Sequence, residues 1–219
     1  MINFQAGALW ENQQNLCQDL QYTHCVGIDE AGRGALAGPV MAAAVCFDPF
    51  TQPFFLDDSK KLSPKKREEI YHHINKQKVY LGLGISSNTL IDQKNILQAT
   101  MIAMLEAYQK CLTQILIDIP NPRLLVAIDG KVNLSLGPEA LPLTIIKGDA
   151  TLASIAAASI IAKVSRDQRM TELHHDFPDY GFAQHKGYGT IQHFQAIRQM
   201  GISCHHRTSF LTRSLNDHH

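Results

Sequence analysis

The sequence has no excess of charge of either sign: 20 Lys and Arg balance 20 Asp and Glu, giving a formal net charge of zero with His neutral. A chain without a global positive field is not drawn as a whole onto DNA or an anionic membrane, so any nucleic-acid site must come from local patches. Cysteine is scattered. Cys17, Cys25, Cys46, Cys111 and Cys204 are odd in number and form no C-x-x-C pair, which argues against a disulfide framework or a zinc knuckle. Long apolar runs are missing as well: the most apolar stretches, 38–47 and 152–164, are too short or too rich in small and polar residues to span a bilayer, and no membrane association is expected. The N-terminal segment has neither a basic n-region nor an unbroken apolar core, so no secretory leader is expected and the cytoplasm is the expected location. No repeat, low-complexity tract or long linker divides the chain.

What is present is a globular composition, 45% hydrophobic and 18% charged over 219 residues, enough to bury a full core. Cys25–Asp29 reads as a short buried strand, Gly32-Arg33-Gly34 as a turn, and Pro39–Phe47 as a second strand returning beside the first. Ser63-Pro64 is a good N-cap and first helical residue for a helix reaching about Asn75. Val79–Ser86 alternates as a strand, and apolar residues at helical spacing predict one long amphipathic helix from Asn88 to about Leu112. Leu124–Ile128 and Leu143–Ile146 are further apolar strands, each stopped by a segment containing Gly and Asp. Helices are expected over about Leu152–Leu173 and Thr190–Met200, and the tail allows one more. Strands alternating with helices after an opening strand pair indicate α/β with a mixed sheet.

Three of the apolar strands end in acids: Asp29 and Glu30 after the first, Asp129 after Leu124–Ile128, and Asp149 after Leu143–Ile146. In open α/β sheets the functional crevice lies beyond the carboxyl ends of the strands, where such acids can converge. Four carboxylates together repel unless cations neutralise them or some stay protonated. Mg²⁺ suits hard oxygen donors and completes its shell with water and phosphate oxygens, and a pair of such ions about 4 Å apart would support phosphodiester hydrolysis. The bland alternative is that each acid is a strand-end turn former. Gly32-x-Gly34-x-x-x-Gly38 has the wrong spacing for a dinucleotide-binding loop and leads into a strand where that motif requires a helix. A glycine turn carrying Arg33 beside two acids instead suits close backbone approach to a nucleic-acid strand, with Arg33 on phosphate.

Basic residues cluster locally despite the neutral total. Between Ser59 and Lys78 there are seven Lys and Arg, Lys60 among them, against two acids. Lys163, Arg166 and Arg169 form a second group, and a third runs from His185-Lys186 to His205-His206-Arg207. Solvated helix faces account for part of this pattern. The histidine pairs lack H-E-x-x-H spacing and a nearby Cys, which disfavours zinc. Tyr188 between Gly187 and Gly189 is a candidate to stack on a base or sugar, the alternative being a surface turn tyrosine.

Taken together, the segments 26–34, Asp58–Ser63, Ile128-Asp-Gly130, Lys147-Gly-Asp149, 154–167, 180–190, His206-Arg207 and Ser209-Phe210 resemble the ribonuclease HII family, in the family's order. The resemblance implies an RNase H-like fold, a mixed central β-sheet flanked by helices with a helical C-terminal region. It implies an endonuclease acting on the RNA strand of RNA/DNA hybrids and at single ribonucleotides embedded in duplex DNA, leaving 5′-phosphate and 3′-hydroxyl ends. Carried over by motif, Asp29, Glu30, Asp129 and Asp149 are the carboxylates for Mg²⁺ or Mn²⁺. Gly32, Arg33 and Gly34 read the 2′-hydroxyl, and Tyr188 packs on the adjoining deoxynucleotide; Lys60, from the local basic cluster rather than from the resemblance, is expected to contact substrate phosphate. Ala35 departs from the family's usual Pro after the triplet, which loosens the expected turn slightly. Residues 25–219 read as one catalytic domain with C-terminal helical substrate-binding elements, residues 1–24 as an N-terminal extension, and the protein as a monomer. A DNA-cutting two-metal nuclease or transposase-like member of the same fold is the enzymatic alternative, disfavoured by the glycine turn joined to the Tyr188 loop. A non-cutting hybrid-binding protein would require a lost carboxylate.

Overall fold

The computed structural model describes residues 4, 5 and 7–211. Its centre is a five-stranded mixed sheet in the order β3-β2-β1-β4-β5, made of β1 (His24–Ala31), β2 (Val40–Phe47), β3 (Val79–Ser86), β4 (Leu124–Asp129) and β5 (Ala140–Ile145). The β1–β2 and β2–β3 pairs are antiparallel, whereas β1, β4 and β5 run parallel. β2 is buried throughout. Its Ala42, Ala44 and Cys46 face α4 (Ile96–Asp118), and its Ala43 and Val45 face α5 (Ala153–Asp176) and α2 (Pro64–Ile74). The small residues of this strand let both long helices lie close to the sheet. Gly27 serves the same end on β1: an added Cβ would strike the backbone of Ser154 and Ile155, so only glycine lets the start of α5 rest on the strand that carries Asp29 and Glu30.

The expected fold class is present, with local differences. Asp29 and Glu30 lie inside β1 rather than after it. The β1–β2 connection, 32–39, is not a tight turn; it makes a bridge from Ala37 to His206 and exchanges backbone hydrogen bonds with the C-terminal region. The single helix expected from Asn88 is broken into α3 (Asn88–Lys94) and α4 at Asn95, whose φ is 71° and whose side chain caps Gln98 N–H. β5 begins at Ala140, earlier than the apolar run suggested. Helix α1 (Leu9–Asp19) was not expected at all; it buries only Leu9, Asn12 and Leu16, a stripe too thin to stand out in a polar segment. It packs on the body through Trp10 against Phe47 and Phe54, and Gln13 accepts from Ser154 N–H at the start of α5. The C-terminal region contains α6 (Phe182–His185) and α7 (Ile191–Met200). Residues 208–211, the last described, are helical where the sequence allows a helix in the tail; 212–219 lie outside the described residues. Among the described residues no helix is long and apolar enough to cross a membrane.

Candidate active site

The parallel trio β1, β4 and β5 brings the acids to one edge of the sheet. Asp29, Glu30 and Asp129 line a cleft of about 230 Å³ together with Gly32, Lys60, Ser159, Lys163 and Tyr188. Asp149 reaches the same place from the one-turn 3₁₀ segment Gly148–Ala150, where its carboxylate accepts from Lys60 Nζ at 3.2 Å. Asp129 Oδ1 accepts from Gly148 N–H at 2.7 Å, which ties the end of β4 to that turn. Asp29 and Asp149 are buried, and Glu30 and Asp129 are half-buried.

The carboxylates are under electrostatic stress. Burial, then repulsion from Glu30 and Asp129, holds the Asp29 carboxyl well above the ordinary range. Burial also raises Glu30, against the pull of Arg33, and burial followed by the charge of Asp149 raises Asp129. Two basic side chains offset this in part. Arg33 Nη1 donates to Glu30 Oε1 at 3.0 Å, and Lys60 sits on Asp149. Burial would lower the Lys60 ammonium, yet the charge and hydrogen bond of Asp149 more than compensate and raise it. Behind the acids Ser159 bonds to Ser59 at 2.8 Å, and its hydroxyl draws the raised Asp29 carboxyl partly back down. Arg67 Nη1 holds the Ser59 and Leu62 carbonyls, bracing the loop that carries Lys60.

Among the described residues no three His, Cys, Asp or Glu side chains already form a metal cage. The donor set nonetheless fits a hard divalent cation: the acids in the cleft are oxygen donors without Cys or His beside them, and their raised protonation reflects a deficit of positive charge that a cation would supply.

The glycine turn is held from behind by two buried arginines. Arg207 donates to the carbonyls of Gly32 at 2.8 Å, Arg33 at 2.9 Å and Gly38 at 3.0 Å. Arg166 donates to Pro39 at 2.9 Å, Lys186 at 2.9 Å and Ala37 at 3.2 Å. With those carbonyls engaged, the exposed side of the turn presents the N–H groups of Arg33 and Gly34, which have no acceptor among the described residues. The expectation that Arg166 belongs to a phosphate-facing basic patch therefore fails, and Arg207 fails it likewise: both are fully buried and satisfied by backbone carbonyls. The two glycines also differ. Gly32 has φ 94° and would drive a Cβ into the Arg166 guanidinium, whereas nothing lies within 4 Å of a Cβ at Gly34.

The Tyr188 loop is joined to this turn. The Gly187 carbonyl accepts from Leu36 N–H at 2.8 Å and from Ala37 N–H at 3.3 Å. Tyr188 is half-buried, with the Arg166 guanidinium 5.3 Å and Lys163 Nζ 5.8 Å from its ring centroid. All nine residues singled out from the sequence are thus brought to one edge of the sheet. Ser159, Lys163, Arg166 and Arg207 complete the assembly; spacing could place them nearby but could not show what they touch.

A mixed sheet of this order, with acids gathered at the ends of its parallel strands, defines an RNase H-like hydrolase. The ribonuclease H2 of Pyrococcus horikoshii OT3 superposes with a TM-score of 0.65 at 22% identity, over 89% of this chain and 97% of that one. Bst-RNase HIII, solved in complex with Mn²⁺, gives 0.62 at 22% identity, over 85% of this chain and 66% of that one. Residues 26–213 match the family described as Ribonuclease HII, and the Ribonuclease HII of Geobacter sulfurreducens is 44% identical over 214 residues, covering 96% of this chain and 91% of its own length. The chain belongs to the ribonuclease HII family. It is an endoribonuclease, a phosphodiester hydrolase that degrades the RNA of RNA/DNA hybrids.

Proposed function

We propose that the protein also incises DNA duplexes at single embedded ribonucleotides, leaving 5′-phosphate and 3′-hydroxyl ends, and so serves ribonucleotide removal during replication and repair. The observation that carries this reading is the hydrogen-bonded union of the Gly32-Arg33-Gly34 turn with the Tyr188 loop beside the acidic cleft. A surface that only neutralised phosphate would not need an amide-presenting turn and an aromatic ring held to each other. The 2′-hydroxyl both donates and accepts, and it is the group that tells RNA from DNA. The outward N–H groups of Arg33 and Gly34 suit its acceptor side, while the Tyr188 ring packs on the deoxynucleotide that follows.

Asp29, Glu30, Asp129 and Asp149 hold Mg²⁺ or Mn²⁺, which when bound activates the attacking water and stabilises the leaving oxygen. Asp29 and Asp149 supply the buried anchors and Glu30 and Asp129 the half-buried rim, and Ser159 orients Asp29. Arg33 and Lys60, which pair with Glu30 and Asp149 in the metal-free site, would be free to contact substrate phosphate once the acids hold a cation. Residues 25–219 act as one catalytic domain, with the elements after α5 contributing the reading loop. The direct experiment incubates the protein with a duplex containing one ribonucleotide, with Mg²⁺, with Mn²⁺ and with EDTA, and maps the cut. A single metal-dependent incision at the ribonucleotide is expected; an intact duplex beside a cleaved continuous hybrid would overturn the reading.

Two further outcomes follow from the same geometry. Binding to hybrid weakens with rising salt, and Lys60→Ala lowers affinity alike for all sequences and reduces the salt slope by about one, as for a single phosphate contact. Salt-independent affinity in filter binding at constant metal would contradict it. For Tyr188 the flat face matters more than the hydroxyl. Tyr188→Phe retains most incision at an embedded ribonucleotide, whereas Tyr188→Ala loses about ten- to a hundredfold there, the energy of one base or sugar stack. The loss is smaller on continuous hybrid. Equal kcat/KM losses on the two substrates would make Tyr188 a general binding residue.

A further inference from the structure

Behind Tyr188 lies a group of three buried histidines that the acidic cleft does not use: His185, His193 and His206. Their proton positions follow from their partners. Ser203 N–H lies 2.9 Å from His206 Nδ1, and a backbone amide can only donate, so Nδ1 accepts and the ring proton is on Nε2. His206 Nε2 lies 3.1 Å from His193 Nε2, which must therefore accept. The proton of His193 is then on Nδ1, where it donates to the Tyr188 carbonyl at 3.0 Å. His185 stacks on His193 with ring centroids 4.2 Å apart and accepts from Gly187 N–H at 3.2 Å. Burial lowers the His193 and His206 rings to about 4, so both are neutral at the pH of nuclease assays, as the line of bonds requires.

His206 is followed by Arg207, whose guanidinium holds the carbonyls of Gly32 and Arg33. Two consecutive side chains thus reach the two halves of the reading surface, one through His193 to Tyr188 and the other directly to the glycine turn.

We infer that His193 and His206 are positioning residues that set the Tyr188 loop against the glycine turn, and that they thereby determine how strongly the enzyme distinguishes an embedded ribonucleotide from continuous hybrid. The inference rests on the proposed role of Tyr188 at the junction.

Two substitutions of similar size separate the contacts. Asn at 193 puts an amide N–H where Nδ1 stood and keeps the bond to the Tyr188 carbonyl. Gln at 193 reaches the position of Nε2 and keeps the contact with His206 but abandons Tyr188. The ratio of kcat/KM on an embedded ribonucleotide to that on continuous hybrid should fall about tenfold in His193→Gln and stay within about threefold of the parent in His193→Asn. In a Tyr188→Ala background His193→Gln should lower the ratio no further, because a residue acting through Tyr188 cannot act once the ring is gone. His206→Asn, which keeps the Ser203 bond and loses the donor to His193, should lower the ratio several-fold and serves if His193→Gln fails to fold. An unchanged ratio in a folded His193→Gln or His206→Asn protein, equal losses on both substrates, or additive losses with Tyr188→Ala would overturn the inference. If Tyr188→Ala lowers the ratio and the histidine variants do not, the inference falls and the reading of Tyr188 stands. If Tyr188→Ala leaves the ratio unchanged, both fall together.

Discussion

Asp29→Asn should reduce cleavage of hybrid by about a thousandfold or more while making the metal-free protein more stable, a combination that few active-site substitutions in a folded core produce. The loss follows from removing a buried anionic ligand: an interaction of several kcal/mol with transition-state charge, at 1.36 kcal/mol per tenfold, is worth at least this much. The gain follows from the repulsion of Glu30 and Asp129, which with burial holds the Asp29 carboxyl well above its ordinary range. Asparagine still accepts from Glu30 N–H, 2.7 Å away in the parent, so no buried donor is orphaned. A rise of about 2–4 °C in Tm without metal is expected, which for a chain of this size is about 1 kcal/mol.

The gain has a definite pH dependence. A carboxyl whose folded value is raised binds its proton more tightly in the folded state than in the unfolded one, so its ionisation costs stability as pH rises from the ordinary carboxylate range through the raised value. The parent pays that penalty at neutral pH and is relieved of it on acidification, and Asp29→Asn removes the difference. His193 and His206 act in the opposite sense: lowered to about 4, they cost stability as pH falls from about 6.5, where the unfolded rings take up protons. Because both variants keep the histidines, the Tm difference between parent and Asp29→Asn at matched pH isolates the carboxyl. It should be largest near neutrality and shrink toward pH 4. A folded Asp29→Asn protein that cuts at near-parent rates would remove Asp29 from the site, and a Tm below the parent at neutral pH would show that the acids are not in repulsive contact.

The strands and their acids were legible in the sequence because β-patterning and strand-end chemistry are local. Val79–Ser86 has the alternation of a half-buried strand and is one, residue for residue. Asn95 was not legible as a break: apolar spacing continues through it, and only its left-handed backbone and its cap on Gln98 reveal that one helix ends and another begins. Arg166 and Arg207 were misread for a different reason. An arginine near other basic residues looks like a phosphate contact, and its burial against backbone carbonyls leaves no complementary acid in the sequence to signal it. The histidines after residue 184 could be seen, but the bonds that fix their tautomers join residues from Tyr180 to His206 through three separate turns. The site was therefore readable in its ligands and unreadable in its supports.

The same distinction gives the second large effect, since the two glycines of the turn look equivalent in sequence and are not equivalent in space. Gly32 is required by the chain itself. Its φ of 94° disfavours any L side chain, and a Cβ would displace the Arg166 guanidinium that braces Ala37, Pro39 and Lys186. Gly32→Ala should cost about 2–4 kcal/mol, or about 4–16 °C in Tm, and lose activity on every substrate together. Gly34 is different: it is exposed, its backbone is not in the left-handed region, and no atom of the protein stands within 4 Å of an added Cβ. Only a bound molecule can object to a side chain there. Gly34→Val should therefore melt within about 3 °C of the parent and bind the same metal, yet lose about a hundredfold in kcat/KM at an embedded ribonucleotide, because two methyl groups stand where the 2′-hydroxyl must approach the backbone. Gly34→Ala should fall between. Melting curves and kcat/KM on both substrates separate the possibilities: if Gly34→Val cuts the embedded ribonucleotide as well as the parent, the open face of the turn is not where the sugar is read.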